Sequence, residues 1–172
     1  LTDLTLDKQA ASLVGYTQTE LEYYFEEKLT QITDNEQITK EDLLRDIQQW
    51  YNGYSWLGDK IYNPVSVLSF FQKKRFGNFW FETGSPAFLL KILQKELHYN
   101  FEHIEANEVL INAFHIENIH PLALLFQTGY LTVKEDLGYG NYVLSYPNLE
   151  VKMSLANHLI HDYTNIVNTG AT

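Results

Sequence analysis

Apolar residues recur along this chain in two rhythms, and the change between them falls near residue 101. Before that point the spacing is three and four, the rhythm of helices with one buried face. Thr17 followed three residues later by Glu20 is a capping box, in which each side chain satisfies the other residue's backbone N–H. It opens a helix of about ten residues carrying Leu21, Tyr24, Phe25 and Leu29. Thr39 with Asp42 repeats the signal more weakly. Leu43, Leu44, Ile47 and Trp50 then follow at helical spacing, with Gly53 placed to stop the helix. Asn63-Pro64 and Ser85-Pro86 each set a capping side chain before a proline, whose missing N–H does no harm at the first helical position. They start helices over 65–73 and 87–96.

Beyond residue 101 the pattern calls for a helix over 105–113 and another opened by His120-Pro121 and stopped at Gly129. Residues 130–134 and 141–146 alternate as strands. Residues 135–140, with two glycines, read as the hairpin loop between them. Asn148 caps a last helix through about Tyr163. The fold class is therefore mainly α with one β-hairpin: a helical bundle over 1–100, a winged-helix-like module over 101–164 and a frayed tail over 165–172. An isolated hairpin is marginal in water, so this one must pack on its helices. The expected core includes Leu43, Ile47, Trp50, Phe70, Phe71, Phe88, Leu89, Leu124, Leu125 and Leu155.

Composition narrows the function classes. At 172 residues, with 45% hydrophobic and 15% aromatic positions, the chain is globular outside its ends. Its longest apolar runs, such as 122–126, fall far short of the roughly 20 residues a membrane helix needs. No secretion signal opens the chain, and the absence of cysteine excludes disulfides and thiolate metal sites. A cytoplasmic protein fits. Twelve basic against twenty-two acidic residues give a net charge of -10, which repels phosphates and argues against DNA binding. The chain starts at Leu1 and its only methionine is Met153, which leads us to expect a piece of a longer protein.

Candidate chemistry is sparse. No glycine-rich loop ends in Lys-Ser or Lys-Thr, and no apolar strand ends in magnesium-holding acids, so a phosphate cradle is missing. No residue is assigned a catalytic role. His158 and His161 lie three apart on a helix and would face one metal, but no HExxH pattern or third ligand accompanies them, and they read as ordinary histidines. The Glu135-Asp136 pair reads as solvated charge. The densest aromatic block, Trp50-Tyr-Asn-Gly-Tyr-Ser-Trp56 with Tyr62-Asn63-Pro64, fits either core packing or a stacking platform for a base. Because Trp50 and Tyr62 continue apolar patterns, we take Trp50, Asn52, Gly53, Tyr54, Asn63 and Pro64 as a structural motif. Within it, Asn52-Gly53-Tyr54-Ser55 is expected to be an ordered turn with Gly53 at positive φ. Lys73-Lys74-Arg75 is the one basic cluster, favourably placed at a helix C-terminus. Arg75 is the candidate for sensing a nucleotide phosphate; Arg45, lying between Asp42 and Asp46, is the weaker one.

Three blocks occur in order: "LTDLTLDKQAASLVGYTQTEL", then "WYNGYSW", "IYNPVSVLSFF" and "FGNFWFETGSPAFLL", then "LLFQTGYLTVKE" and "NYVLSYPNLEVKMSL". Together they resemble the carboxy-terminal part of the AAA-ATPase-like domain of a bacterial family, usually followed there by a PD-(D/E)XK nuclease-like domain. The resemblance spans nearly the whole chain. It implies that residues 1–100 are a lid-like subdomain and that the partners are an upstream ATPase core and a downstream nuclease-like domain. ATP and Mg would then be cofactors of the parent protein, with none held by this chain. The family's catalytic motifs lie outside the matched blocks, so none maps onto a position here. The alternative is a stand-alone winged-helix-like module binding protein rather than nucleic acid, since residues 120–129 carry no basic side chain besides histidine. A self-contained metal hydrolase built on His158 and His161 is the weakest reading.

Overall fold

The computed structural model describes residue 6 and residues 10–80, 101–113 and 120–169, with side chains through residue 160 apart from residue 159. The capping box forms as expected: Thr17 Oγ1 accepts from Glu20 N–H and Glu20 Oε2 accepts from Thr17 N–H. The helix it opens is α1 (Gln18–Tyr24), which breaks at Phe25 before α2 (Glu26–Glu36). Leaving helical geometry turns the Phe25 ring inward, stacked on Phe71 at 4.5 Å and edge-on to Tyr16 at 5.5 Å. The single helix expected through Leu29 is thus two, and Tyr24 is exposed rather than buried.

Thr39 caps α3 (Lys40–Tyr51) by accepting from Asp42 N–H. Gly53 does not stop this helix. The chain leaves it at Asn52 and runs as strand β1 (Asn52–Tyr54), antiparallel to β2 (Ile61–Tyr62). Asn63 Oδ1 then caps α4 (Pro64–Lys73), accepting from Val65 and Ser66 N–H. The helix expected at 87–96, with Phe88 and Leu89, lies outside the described residues.

In the second half, β3 (Ile104–Asn107) stands where a helix over 105–113 was expected, followed by the short α5 (Glu108–Ile111). Pairing decides this. Ile104–Asn107 lies in register with residues 141–144, and an edge strand forms because a partner supplies the backbone bonds a short helix would have made alone. His120 Nδ1 caps α6 (Pro121–Gln127), and Gly129 leaves it at φ 80. Strands β4 (Thr132–Gly138) and β5 (Asn141–Ser145) run almost to the tip, leaving Tyr139-Gly140 as the turn. Both turn residues have positive φ, matching the twist of a tight hairpin. Asn148 Oδ1 accepts from Val151 N–H at the start of α7 (Leu149–Thr169), which continues well past Tyr163 into the tail expected to fray.

The described residues therefore hold helices and two small antiparallel sheets, β1-β2 and β3-β5-β4, where one hairpin was expected. Two cores form. Leu21, Leu29, Leu43, Ile47, Tyr51, Tyr62, Phe70 and Phe71 fill the first. Leu125, Leu131, Leu144, Val151 and Leu155 fill the second, joined there by Tyr54 and Ile61 from the first sheet. Each such side chain contributes about 1.5–3 kcal/mol by leaving water. Trp50, expected in the core, is half-buried and stacks on Phe76 at 5.6 Å.

Candidate functional site

The aromatic block is where the two cores meet. Asn52 Oδ1 accepts from Gly53 N–H, and Gly53 sits at φ 118. A Cβ on Gly53 would lie 2.1 Å from the Pro147 carbonyl oxygen, so the chain can pass here only without a side chain. Asn52-Gly53-Tyr54-Ser55 is ordered as expected, but as a buried strand rather than a turn. Thr132 fastens it to β4: its hydroxyl accepts from Ser55 N–H at 2.7 Å and donates to Ser55 C=O at 2.8 Å.

Beside this strand lies a cavity of about 240 Å³ with Tyr54, Trp56, Tyr62 and Trp80 in its walls and Asn63 and Gln127 among its polar groups. Tyr54 and Trp56 stack at 6.2 Å with their planes 15° apart. The Tyr54 hydroxyl is buried and, among the described residues, no hydrogen bond of full geometry reaches it. Burial, and then the Glu150 carboxylate, hold its pKa far above that of a free tyrosine, while the Asn63 side chain is close enough to pull the other way.

A second constellation surrounds Arg75. Helix α4 ends at Lys73, with Lys74 in a left-handed cap at φ 49 and its N–H donating to Phe70 C=O. Lys73 Nζ lies 4.5 Å over the Phe79 ring. Arg75 is exposed, and no ion pair involves it among the described residues. The segment that follows is fixed at two points. Tyr51's hydroxyl donates to Gly77 C=O at 3.1 Å and accepts from Gly77 N–H at 3.0 Å. Glu150, fully buried in the first turn of α7, accepts from Phe79 N–H at 2.6 Å and Trp80 N–H at 2.9 Å through Oε1. Its Oε2 accepts from the Ser66 hydroxyl at 2.6 Å. Burial raises the Glu150 pKa; the three donors oppose that shift without cancelling it. The charges of both Glu150 and Arg75 are felt at the Tyr51 hydroxyl, whose pKa burial pushes up strongly.

The structure thus brings Tyr54 and Asn63 together at a cavity by the start of α4 and sets Arg75 apart, just beyond the opposite end of that helix. Arg45 is exposed and paired with Asp42 at 2.7 Å. His158 Nδ1 lies 2.8 Å from Ser154 C=O, and the His161 side chain is outside the described residues. Among the described residues no group of three metal-ligating side chains gathers. Lys134 Nζ donates to Pro147 C=O at 2.9 Å, and burial, then Lys60, pulls its pKa down to about 8. Glu150 and Thr132 were not singled out from the sequence. A carboxylate between Leu149 and Val151, two residues after a capping asparagine, looks like an ordinary helix-dipole charge.

No family model matches the chain, and no solved structure matches it. It is similar to a curated protein described as "Uncharacterized protein in vnfD 5'region", from Azotobacter chroococcum mcd 1, at 38% identity over 168 residues. The alignment covers 95% of this chain and 31% of that protein, so the chain spans under a third of the length of the curated relative it matches. Among the described residues no helix is long and apolar enough to cross a membrane.

Proposed function

We propose that this chain is a non-catalytic, lid-like and winged-helix-like part of a larger ATP-dependent protein, relaying the state of a nucleotide site held elsewhere. The reading rests on the resemblance of the ordered sequence blocks, and the greater length of the curated relative is consistent with it. The strand order β3-β5-β4, with α5 and α6 between β3 and the hairpin, favours a winged-helix-like second half.

The observation that carries the relay is the Glu150 tie. The segment bearing Arg75 is fastened to α3 through Tyr51 and to α7 through Glu150, so displacement at Arg75 is passed to the second core rather than absorbed in a loose loop. An arginine at this place suits a phosphate, because the guanidinium fork binds two of its oxygens at once. The test is Arg75→Ala in the full-length protein, with Arg45→Ala as control and folding checked by circular dichroism. ATP turnover is expected to fall roughly 100- to 1,000-fold in the first, as when one charge-stabilising donor is removed, and to hold in the second. Unchanged turnover in a folded Arg75→Ala protein would refute the sensing role. It would also favour the alternative, a protein-binding module with no nucleotide partner.

A further inference from the structure

The hairpin joining β4 to β5 ends in an unusual turn. Tyr139 sits there at φ 53, in the left-handed region that Gly and Asn usually occupy and a bulky side chain rarely does. Its ring is fully exposed. The turn itself is held at several points. Asp136 Oδ1 accepts from Gly138 N–H at 2.9 Å, and the Asn141 side-chain amide donates to the Gly138 and Tyr139 carbonyls at 3.3 and 3.4 Å. Glu108 N–H donates to Gly140 C=O at 2.8 Å, tying the turn to the start of α5. The Tyr139 ring takes no part in these bonds, so a rigid tip presents an aromatic side chain to solvent.

Other apolar groups adjoin it. Leu137, two residues earlier on β4, is 45% exposed. Val109 is 80% exposed and follows Glu108, whose carboxylate lies 3.4 Å from where a Cβ on Gly140 would stand. Single exposed apolar residues are ordinary, but three around one hairpin end form a patch. Beside the tip lies a groove of about 380 Å³ between β3 and the hairpin. Ala106, Leu137 and Tyr139 supply its apolar part, and Glu105, Asn107 and Asn141 its polar part.

Charge selects the occupant. Glu105 lines the groove, Glu108 lies against the turn, and Glu135 and Asp136 stand on β4 opposite Val143 and Tyr142; all four are exposed. Burial, then Glu108 and Asp136, raise the Tyr142 pKa, which places those two carboxylates near one hydroxyl. His103 Nε2 stands 4.0 Å from Glu105 Oε1, beyond hydrogen-bonding reach. Such a rim repels nucleic acid and anionic membranes. A second copy docking through the same face would set the same carboxylates against each other. A basic segment is attracted, and arginine suits the place better than lysine. Its flat guanidinium stacks on an aromatic ring and forks to a carboxylate, whereas an ammonium is a compact point charge. A rigid aromatic anchor also loses little freedom on binding.

We propose that the tip of the β4–β5 hairpin and the groove beside it dock an arginine-bearing segment of a partner protein, with the guanidinium on the Tyr139 ring and paired to Glu105. This surface is independent of the relay through Arg75, and no step of its test uses a nucleotide.

Binding is followed by fluorescence anisotropy of a labelled hexa-arginine peptide, with a hexalysine peptide and a short DNA duplex as comparators. Saturable binding of hexa-arginine is expected, weakening as salt rises. Hexalysine should bind at least about threefold more weakly. Tyr139→Asn suits the left-handed turn, so its Tm should hold or rise while peptide affinity falls roughly tenfold. Glu105→Gln with Glu108→Gln should weaken binding roughly three- to tenfold. Glu27→Gln with Asp34→Asn removes the same charge from α2 and should change it less than about twofold. No saturable binding of hexa-arginine, or full affinity in Tyr139→Asn, would overturn the site. An equal loss in the α2 variant would reduce the attraction to overall charge and overturn it too. Equal hexalysine affinity would overturn the stacked guanidinium, and DNA binding as tight as the peptide's would overturn the exclusion of nucleic acid. A dimer in light scattering that Tyr139→Asn dissolves would assign the surface to a second copy instead.

Discussion

Replacing Glu150 tests whether the two cores are held together by one buried carboxylate. In Glu150→Ala two backbone amides, of Phe79 and Trp80, and the Ser66 hydroxyl lose their acceptor. Each buried group left unsatisfied costs about 1–3 kcal/mol. Trp80 is half-buried and its amide can turn towards water, which places that group at the low end. Adding the small void left by the truncated side chain gives a total of about 3–5 kcal/mol. For a chain of this size that is a fall in Tm of roughly 6–20 °C. Glu150→Gln separates charge from geometry. The glutamine carbonyl can accept from both amides, and its NH2 can donate to a rotated Ser66 hydroxyl, so the cost at neutral pH should stay below about 1 kcal/mol. The pH response then differs between the two proteins. Burial raises the folded pKa of Glu150 above its ordinary value of 4.5. Between those two values the folded chain binds more protons than the unfolded one, so this group's contribution weakens as pH rises through the window and is recovered as pH falls. Urea denaturation of wild type, Glu150→Ala and Glu150→Gln at several pH values measures all three effects. A Glu150→Ala protein within about 1 kcal/mol of wild type would refute the reasoning. So would a glutamine variant as unstable as the alanine one, since the charge and not the hydrogen-bond geometry would then be what matters.

Three further outcomes follow from the same structure. Gly53→Ala combines φ 118 with a Cβ placed 2.1 Å from a carbonyl oxygen, and should destabilise by more than about 3 kcal/mol in thermal melts; a melt unchanged from wild type would mean the strand can shift freely. Thr132→Val strips both bonds from buried Ser55 and should cost roughly 2–4 kcal/mol, whereas Thr132→Ser should retain most of the stability. At alkaline pH, burial holds Tyr62 and Tyr130 up to about 12 against an ordinary 10.0, with Tyr51 and Tyr54 raised further. Their stabilisation is complete below pH 10.0 and is lost as pH rises through the folded values, by roughly 1.4 kcal/mol per pH unit for each tyrosine. Lys134 works oppositely between about 8 and 10.5, so denaturation midpoints should hold or rise slightly before falling steeply; a steady decline starting below pH 9, read by circular dichroism, would contradict this.

Local chemistry by itself determined five of the helix starts. Thr17 with Glu20, Thr39, Asn63-Pro64, His120-Pro121 and Asn148 all cap where they stand, because a cap needs only a side-chain acceptor two or three residues from a free N–H. Alternation likewise located the β4–β5 hairpin, and three-four spacing identified Leu43, Ile47, Phe70, Phe71, Leu124, Leu125 and Leu155 as buried. What the tertiary structure decided were the elements whose hydrogen bonds close at a distance. Strand β1 is three residues and β2 two, too short to show a period, and they exist because each supplies the other's partner across a loop. Residues 104–107 carry no strong strand signal and become β3 only beside β5. Gly53 was legible as a residue needing positive φ, but the Pro147 oxygen it must pass comes from a segment far along the chain. Glu150 is the clearest case. Its identity and position read as a surface charge at a helix start, and only folding brings Ser66, Phe79 and Trp80 around it and turns it into a buried acceptor. A cap can be read from neighbours along the chain, whereas a buried charge or a cavity is defined by neighbours in space.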